Sequence, residues 1–276
     1  MRRANLPIDL SRHQQEWQPP VLLRRDLRDC DPCPSLSSAA GLGGLTSYTR
    51  GKSAVASSPL GLLVTDIASF ANAPKLAAEL ELIGPVVRLQ VQTSSLKRGE
   101  RPQSWYDPGP ILSVPSLRLD DGGVTGVDEC DIADVHHRDH PQTKFRGENG
   151  VSIGFTGHYA RMRARFGEHL SDGVAGENIL VDAAGRFTET DVMHGVVIVG
   201  AGGHTALSAV EAATPCVEFS KFCAGYARTQ RPDIAIADTL RFLIQGTRGF
   251  YVTLEGESGT APAIVALGDL VFRRLG

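Results

Sequence analysis

The sequence predicts a mainly β, barrel-like domain with a few helices, preceded by a poorly ordered N-terminal segment. Three observations predict it. From Leu82 onward, short runs rich in β-branched residues recur between turn signals, as in "PVVRLQVQT", "ILSVPSLRL" and "HGVVIVGA". Only two stretches in that region carry helical spacing, and the regular strand–helix alternation of a doubly wound sheet is missing. Upstream, residues 1–78 combine proline pairs, the basic patch "LLRRDLR" and the small-residue stretch "SLSSAAGLGGLTSYTRGKSAVASSP". Such a composition buries little apolar surface per ordered residue.

The elements follow in order. Ala, Leu and Glu in "VTDIASFANAPKLAAELEL" favour one short helix at the end of the tail. The β pattern then runs through "PVVRLQVQT" and "ILSVPSLRL", with "DGGV" as a turn. In "TGHYARMRARFGEHL", Tyr159, Met162 and Phe166 recur at helical spacing and predict a helix. "ENILVD", "HGVVIVGA" and "TALSAVEAA" read as strands, and "ATPC" as a strand end that presents Cys216. A second helix is predicted over "DIAIADTLRFLIQG", stopping at Gly246 in C′ style. "FYVTLEG" and "APAIVALGDLVFRRL" complete the strand set. The division that results is a low-order segment over 1–78 and one domain over 79–276.

A chain of 276 residues can bury a substantial core. With 21% charged residues and a net charge of -3, it has no general attraction for nucleic acid or for a membrane surface, so any anion site must be local. Its longest apolar runs fall far short of the roughly 20 residues that span a bilayer. No apolar core follows Met1-Arg2-Arg3, and the five cysteines are odd in number and scattered. Both features point to the cytoplasm and away from a secreted disulfide framework. Cys30-Asp-Pro-Cys33 is a C-x-x-C without a second pair, which argues against zinc.

One segment, "DVHHRDHPQTKFRGENGVSIGF", carries three competing chemistries. His136, His137 and His140, with Asp139 among them, nearly match the H-x-H-x-D-H signature of the metallo-β-lactamase fold. A zinc-dependent hydrolase is therefore one alternative, although Val135 stands where the pattern needs its first histidine. Gly150-Val-Ser152-Ile-Gly154 fits the G-x-S-x-G nucleophile elbow, but "KFRGEN" is not a strand that could lead into the strained turn. Lys144, Arg146, Gly147 and Gly150 suggest a loop that receives an anion.

Downstream motifs favour the third chemistry. "GFTGHYARMRARFGEHLSDGVAGENILVD" followed by "AATPCVEF" resembles the MOSC domain, named for the C-terminal domain of molybdenum-cofactor sulfurases. The resemblance rests on His158-Tyr159, Gly173-Val-Ala-Gly176-Glu177-Asn178, Pro215-Cys216, and an ending with Arg248-Gly249-Phe250-Tyr251 and Gly268-Asp269. It spans residues 82–276 and implies a closed, strand-rich barrel that binds the molybdenum cofactor (molybdopterin). Family members carry sulfur destined for that cofactor or reduce N-oxygenated small molecules.

On this resemblance Cys216 is the catalytic residue, either ligating molybdenum or holding a persulfide, because a thiolate is a soft ligand and a sulfur carrier. The polar segment before the helix is implied to face the cofactor. That makes His136, His137, His140, Lys144, Arg146 and Asn149 candidates for its phosphate, with Arg248 a further anion candidate. Glu177 and Asn178 are implied to shape the turn or bond the pterin. Cys223 reads as buried packing. The aminotransferase-like domain of full sulfurases, an iron–sulfur cysteine set and a flavin motif are all missing, so no pyridoxal-phosphate site is assigned. A separate electron-donor or sulfur-donor protein is then expected beside a small-molecule substrate, with no nucleic-acid or membrane partner. A non-catalytic cofactor carrier is the remaining alternative.

Overall fold

The computed structural model describes residues 79–145, 147, 150–244, 246–256 and 261–276. The low-order reading of residues 1–78, most of the stretch 64–82 in which one short helix is expected, and the site candidates Arg146 and Asn149 lie outside the described residues.

The last residues of that helix-favouring stretch form a strand. β1 (Leu80–Gln92) begins inside the stretch, because Leu80 and Leu82 pair with Arg274 and Phe272 of the last strand, β14 (Leu270–Arg274). Here long-range pairing overrides local helix preference. β1 is bent by register shifts at Leu82/Gly84 and Val86/Arg88. Its first half therefore lies along β14, its second half along β9 (Ile179–Val181), and its last residues along β4 (Ile111–Ser113). Gly84 sits at the first bend, where a Cβ would lie 1.9 Å from the carbonyl oxygen of Asp182.

Seven strands close into a barrel. The order is β14, β10 (Val196–Gly200), β11 (Gly203–Ala212), β12 (Phe250–Leu254), β8 (Val151–Phe155), β9 and β1, and the β1–β14 pairing completes the ring. Closure leaves the ring without an open edge. β8 and β9 run parallel, with Ile153 opposite Ile179, and α1 (Thr156–Phe166) lies in the connection between them. The barrel core includes Val86, Leu89, Ile153, Phe155, Ile179, Val181, Ile198, Leu207, Phe250 and Val271. Burying each large side chain of this kind stabilises the fold by about 2–3 kcal/mol.

A second sheet of β13 (Ala263–Ala266), β5 (Ser116–Asp120), β6 (Gly123–Val127) and β7 (Asp131–Ala133) joins that core through Leu117, Leu119, Val124 and Val265. A two-stranded hairpin, β2 (Lys97–Arg98) with β3 (Trp105–Tyr106), stands beside the barrel. Four helices occur among the described residues: α1, α2 (Glu189–Val192), α3 (Val217–Cys223) and α4 (Ile234–Leu243). Tyr106, Tyr159, Met162, Leu170, Phe219, Cys223 and Leu243 form a separate apolar cluster that seats α1, α3 and α4.

Two expectations about helices are corrected. α4 ends at Leu243, because Ile244 has extended backbone (φ -67, ψ 170), and Gly246 lies beyond it in a following turn. "ATPC" is not a strand end: β11 stops at Ala212, and Cys216 caps α3, its Sγ accepting the Phe219 N–H at 3.5 Å. Among the described residues no helix is long and apolar enough to cross a membrane.

Candidate functional site

Gly173-Val-Ala-Gly176-Glu177-Asn178 is the turn that delivers two polar side chains to the barrel mouth. Gly173 and Gly176 hold φ of +83° and +89°, in the left-handed region that favours glycine. A Cβ at Gly176 would also come within 2.7 Å of Leu96. Gln90 and Gln92 of β1 clamp the turn, donating from Nε2 to the carbonyls of Gly173 and Gly176 at 2.7 Å each.

Asn178 then acts as a four-way clip. Its Oδ1 accepts the Ser152 N–H at 3.0 Å and the Ser152 hydroxyl at 2.8 Å, and its Nδ2 donates to the Gln90 carbonyl at 3.2 Å and to Asp134 Oδ2 at 3.0 Å. Asp134 is fully buried. It also accepts the Gln92 N–H at 2.7 Å and, on Oδ1, both the N–H of His136 and its Nδ1 at 2.9 and 2.8 Å. One carboxylate thus ties β1, the Asn178 turn and His136 together.

These residues border a cavity of about 640 Å³. Small-molecule and cofactor sites are commonly about 300–1,000 Å³. Its wall brings together Cys216, Arg248, Glu177, Asn178, His136 and Lys144 from distant parts of the chain. Lys97, Ser95, Gln92, Tyr106 and Glu211, which no sequence motif marked, also line it, as does Tyr251. A signal for one of these positions existed: half-buried Gln92, with buried Gln90 two residues before it, places an amide on a strand whose neighbours Leu89 and Val91 are core.

Charge is unevenly placed around the cavity. Arg248 donates from Nη1 to the Thr214 carbonyl at 2.9 Å and stacks 5.4 Å from the centre of the Phe219 ring. Its Nε is enclosed without a hydrogen-bond partner among the described residues. Burial pulls the Arg248 pKa down, but Tyr251, Cys216, Tyr106 and Glu177 outweigh it, and the guanidinium stays above its ordinary value. Lys144 donates to Ser95 Oγ at 2.7 Å, and burial together with the nearby charge of Lys97 lowers its pKa. Two like charges at one rim favour an anion between them.

Cys216 and Cys223 differ in setting. Cys216 is half-buried on the cavity wall, whereas Cys223 is fully buried and its thiol is pushed up to about 12, mainly by burial. Beside Cys216, the Glu218 carboxyl is buried and accepts the Ser104 hydroxyl at 2.8 Å, with Lys97 Nζ at 3.9 Å. Burial raises its pKa, but its own backbone N–H, Ser104 and Lys97 outweigh that, leaving it below the ordinary value.

The remaining histidines are placed elsewhere. His137 is buried, with Nε2 3.3 Å from Asp120 Oδ1 and Nδ1 accepting the Asp139 N–H at 3.1 Å. His140 accepts the Gln142 N–H and reaches the Thr93 carbonyl at 3.2 Å. Each ring is thus turned to its own partner. Among the described residues no three His, Cys, Asp or Glu side chains gather as a metal-binding group. Ser152 lies within β8, not at a sharp turn, and both donates to and accepts from Asn178.

The fold and cavity define a closed β-barrel with a polar, cation-bordered pocket that has a thiol in its wall. No family model matches the chain, and no curated protein matches it. Among solved structures the chain is similar to the YuaD protein from Bacillus subtilis, at 16% identity over 71% of this chain and 96% of that one, with a TM-score of 0.42. A second structure, of a hypothetical protein, is similar at 14% identity over 68% of this chain and 65% of that one, with a TM-score of 0.40.

Proposed function

We propose that the chain is a molybdenum-cofactor-binding protein of the MOSC type, in which Cys216 ligates molybdenum or carries sulfur for it. Its activity is sulfur transfer or the reduction of an N-oxygenated small molecule. The observation that carries this reading is the meeting, in one cavity of about 640 Å³, of the Cys216 thiol with the Arg248 guanidinium. A thiolate suits a soft metal, and a guanidinium suits a phosphate.

The bound cofactor supplies a metal held by dithiolene sulfurs that can exchange electrons or accept sulfur. The chain's own groups do the rest. Arg248, Lys97 and Lys144 offer cationic contacts for the phosphate from the cavity floor and rim. His136, its Nδ1 engaged by Asp134, presents Nε2 as the remaining ring nitrogen for a ligand. Asn178 spends its amide on Ser152, Gln90 and Asp134, so it serves the site by holding the turn that carries Glu177.

The test is metal analysis of protein made in a host that synthesises the cofactor, for the parent, Cys216→Ser and Cys223→Ser. The parent and Cys223→Ser are expected to hold stoichiometric molybdenum, and Cys216→Ser to lose metal or turnover with a chemical electron donor. Metal and turnover retained in Cys216→Ser would make that cysteine structural. One tightly bound zinc per chain would favour the hydrolase alternative, and molybdenum without turnover the carrier.

A further inference from the structure

Glu177 is a carboxyl group inside the cavity that metal ligation and phosphate binding leave unused. It is 5% exposed, and its Oε2 accepts the Tyr159 hydroxyl at 2.7 Å. The Tyr159 oxygen in turn accepts the Ala175 N–H at 3.0 Å, which fixes the hydroxyl on Glu177. On the other side the backbone of Gly154 packs so closely that a Cβ there would lie 2.5 Å from Oε1. A side chain at residue 154 would displace the carboxyl, so glycine at this position makes room for it.

Among the described residues, the groups that act most on Glu177 include Tyr159 on α1, Tyr106 on β3, Arg88 on β1, and Arg248 before β12. Glu177 forms no ion pair among the described residues. Taking a carboxylate out of water without an ion pair is costly, so the neutral acid is favoured. Burial accordingly pushes its pKa up to about 7, against the opposing pull of Tyr159, its own backbone N–H and the two arginines.

We propose that Glu177 is the general acid of this cavity, donating a proton to the leaving oxygen of an N-hydroxylated substrate. This rests on the molybdenum-cofactor reading and selects reduction within it, because transfer of sulfur between thiolates requires no such donor. The balance is two electrons from two equivalents of a one-electron donor, such as a reduced viologen, and two protons, one from Glu177 and one from solvent. The N–O bond breaks, the nitrogen gains a hydrogen, and the oxygen leaves as water. Glu177 then recovers its proton from solvent. An acid whose pKa lies near the working pH is well suited to this step.

The experiment uses the full chain in two states. Without cofactor, infrared titration should show a protonated-carboxyl band that disappears around pH 7 and is missing from Glu177→Gln. With cofactor, and an N-hydroxylated purine base as probe, Glu177→Gln should lose roughly 10²–10⁴-fold in turnover at equal molybdenum content and nearly unchanged KM. The parent should lose turnover as pH rises through 7. Tyr159→Phe, which keeps the acid but removes the donor to its anion, should move that alkaline limb upward, and it decides the matter if Glu177→Gln fails to fold.

The proposal is overturned by an ionised Glu177 at pH 6, by turnover of Glu177→Gln within about threefold of the parent, or by an unmoved limb in Tyr159→Phe. A parent that holds no molybdenum overturns the cofactor reading, and this inference with it. A molybdenum-loaded, active parent beside an equally active Glu177→Gln overturns this inference alone.

Discussion

His158 and Glu177 are both buried ionisable side chains, and burial acts on them with opposite sign. His158 is held neutral, its pKa lowered to about 4 chiefly by burial, with the Phe187 carbonyl at 3.0 Å from Nε2. Between pH 4 and 6.5 the unfolded chain binds more protons at this site than the folded one. His158 therefore contributes stability above pH 6.5 that is lost as pH falls toward 4. Glu177, raised to about 7 from 4.5, behaves inversely: its contribution is present below pH 4.5 and lost as pH rises through 7. Each shift corresponds to about 3 kcal/mol, so the two offset one another across pH 4.5–6.5. Glu177→Gln should uncover the histidine, with stability in denaturant titrations rising by about 3 kcal/mol more than in the parent from pH 4 to 6.5. Equal pH dependence in the two proteins would remove Glu177 from this account.

Thiol chemistry separates at the same scale. Iodoacetamide at pH 8 followed by peptide mapping should label half-buried Cys216 and leave Cys223 unlabelled in the folded protein, because the latter is enclosed and its thiol lies at about 12. Labelling of Cys223 at a rate comparable to Cys216 would contradict the placement of its side chain.

At the scale of elements, the turn before β9 is where sequence and geometry depend on each other most. Gly176→Ala imposes a left-handed backbone on alanine and drives its Cβ toward Leu96 and Gln92. A loss of roughly 2–4 kcal/mol in unfolding free energy is expected, with weaker cofactor retention because Glu177 and Asn178 move with the turn. A change below about 0.5 kcal/mol would show the turn to be tolerant. Runs such as "HGVVIVGA" and "FYVTLEG" were readable as strands because β-branched residues and flanking glycines mark them, and α1 because Tyr159 and Met162 share a face. α3 was not, since seven residues are too few to show a helical period and the "ATPC" before them read as a strand end until Cys216 is seen capping the helix. The histidine cluster was readable as polar but not as divided. Only the three-dimensional path turns His136 to Asp134, His137 to Asp120 and His140 to Thr93.

Over the whole molecule, closure of the barrel depends on pairing residues 80–85 with 270–274, a contact between the two ends of the described chain that no local pattern announces. The same closure gathers the site. Glu177 enters from the turn before β9, Cys216 from the segment after β11, Arg248 from the turn before β12, and His136 from the loop after β7. Cys216, Glu177 and Arg248 were legible through short motifs, whereas Lys97 was not, because the β2–β3 hairpin that carries it reaches the cavity only in the folded protein. The central claim is that Cys216 supplies a ligand to molybdenum in this cavity. X-ray absorption at the molybdenum edge tests it most directly, on parent and Cys216→Ser protein made in a cofactor-synthesising host. A molybdenum-bearing parent is expected, its metal having one more sulfur neighbour than any metal retained by Cys216→Ser. A parent without molybdenum, or an identical sulfur environment in the two proteins, would contradict it.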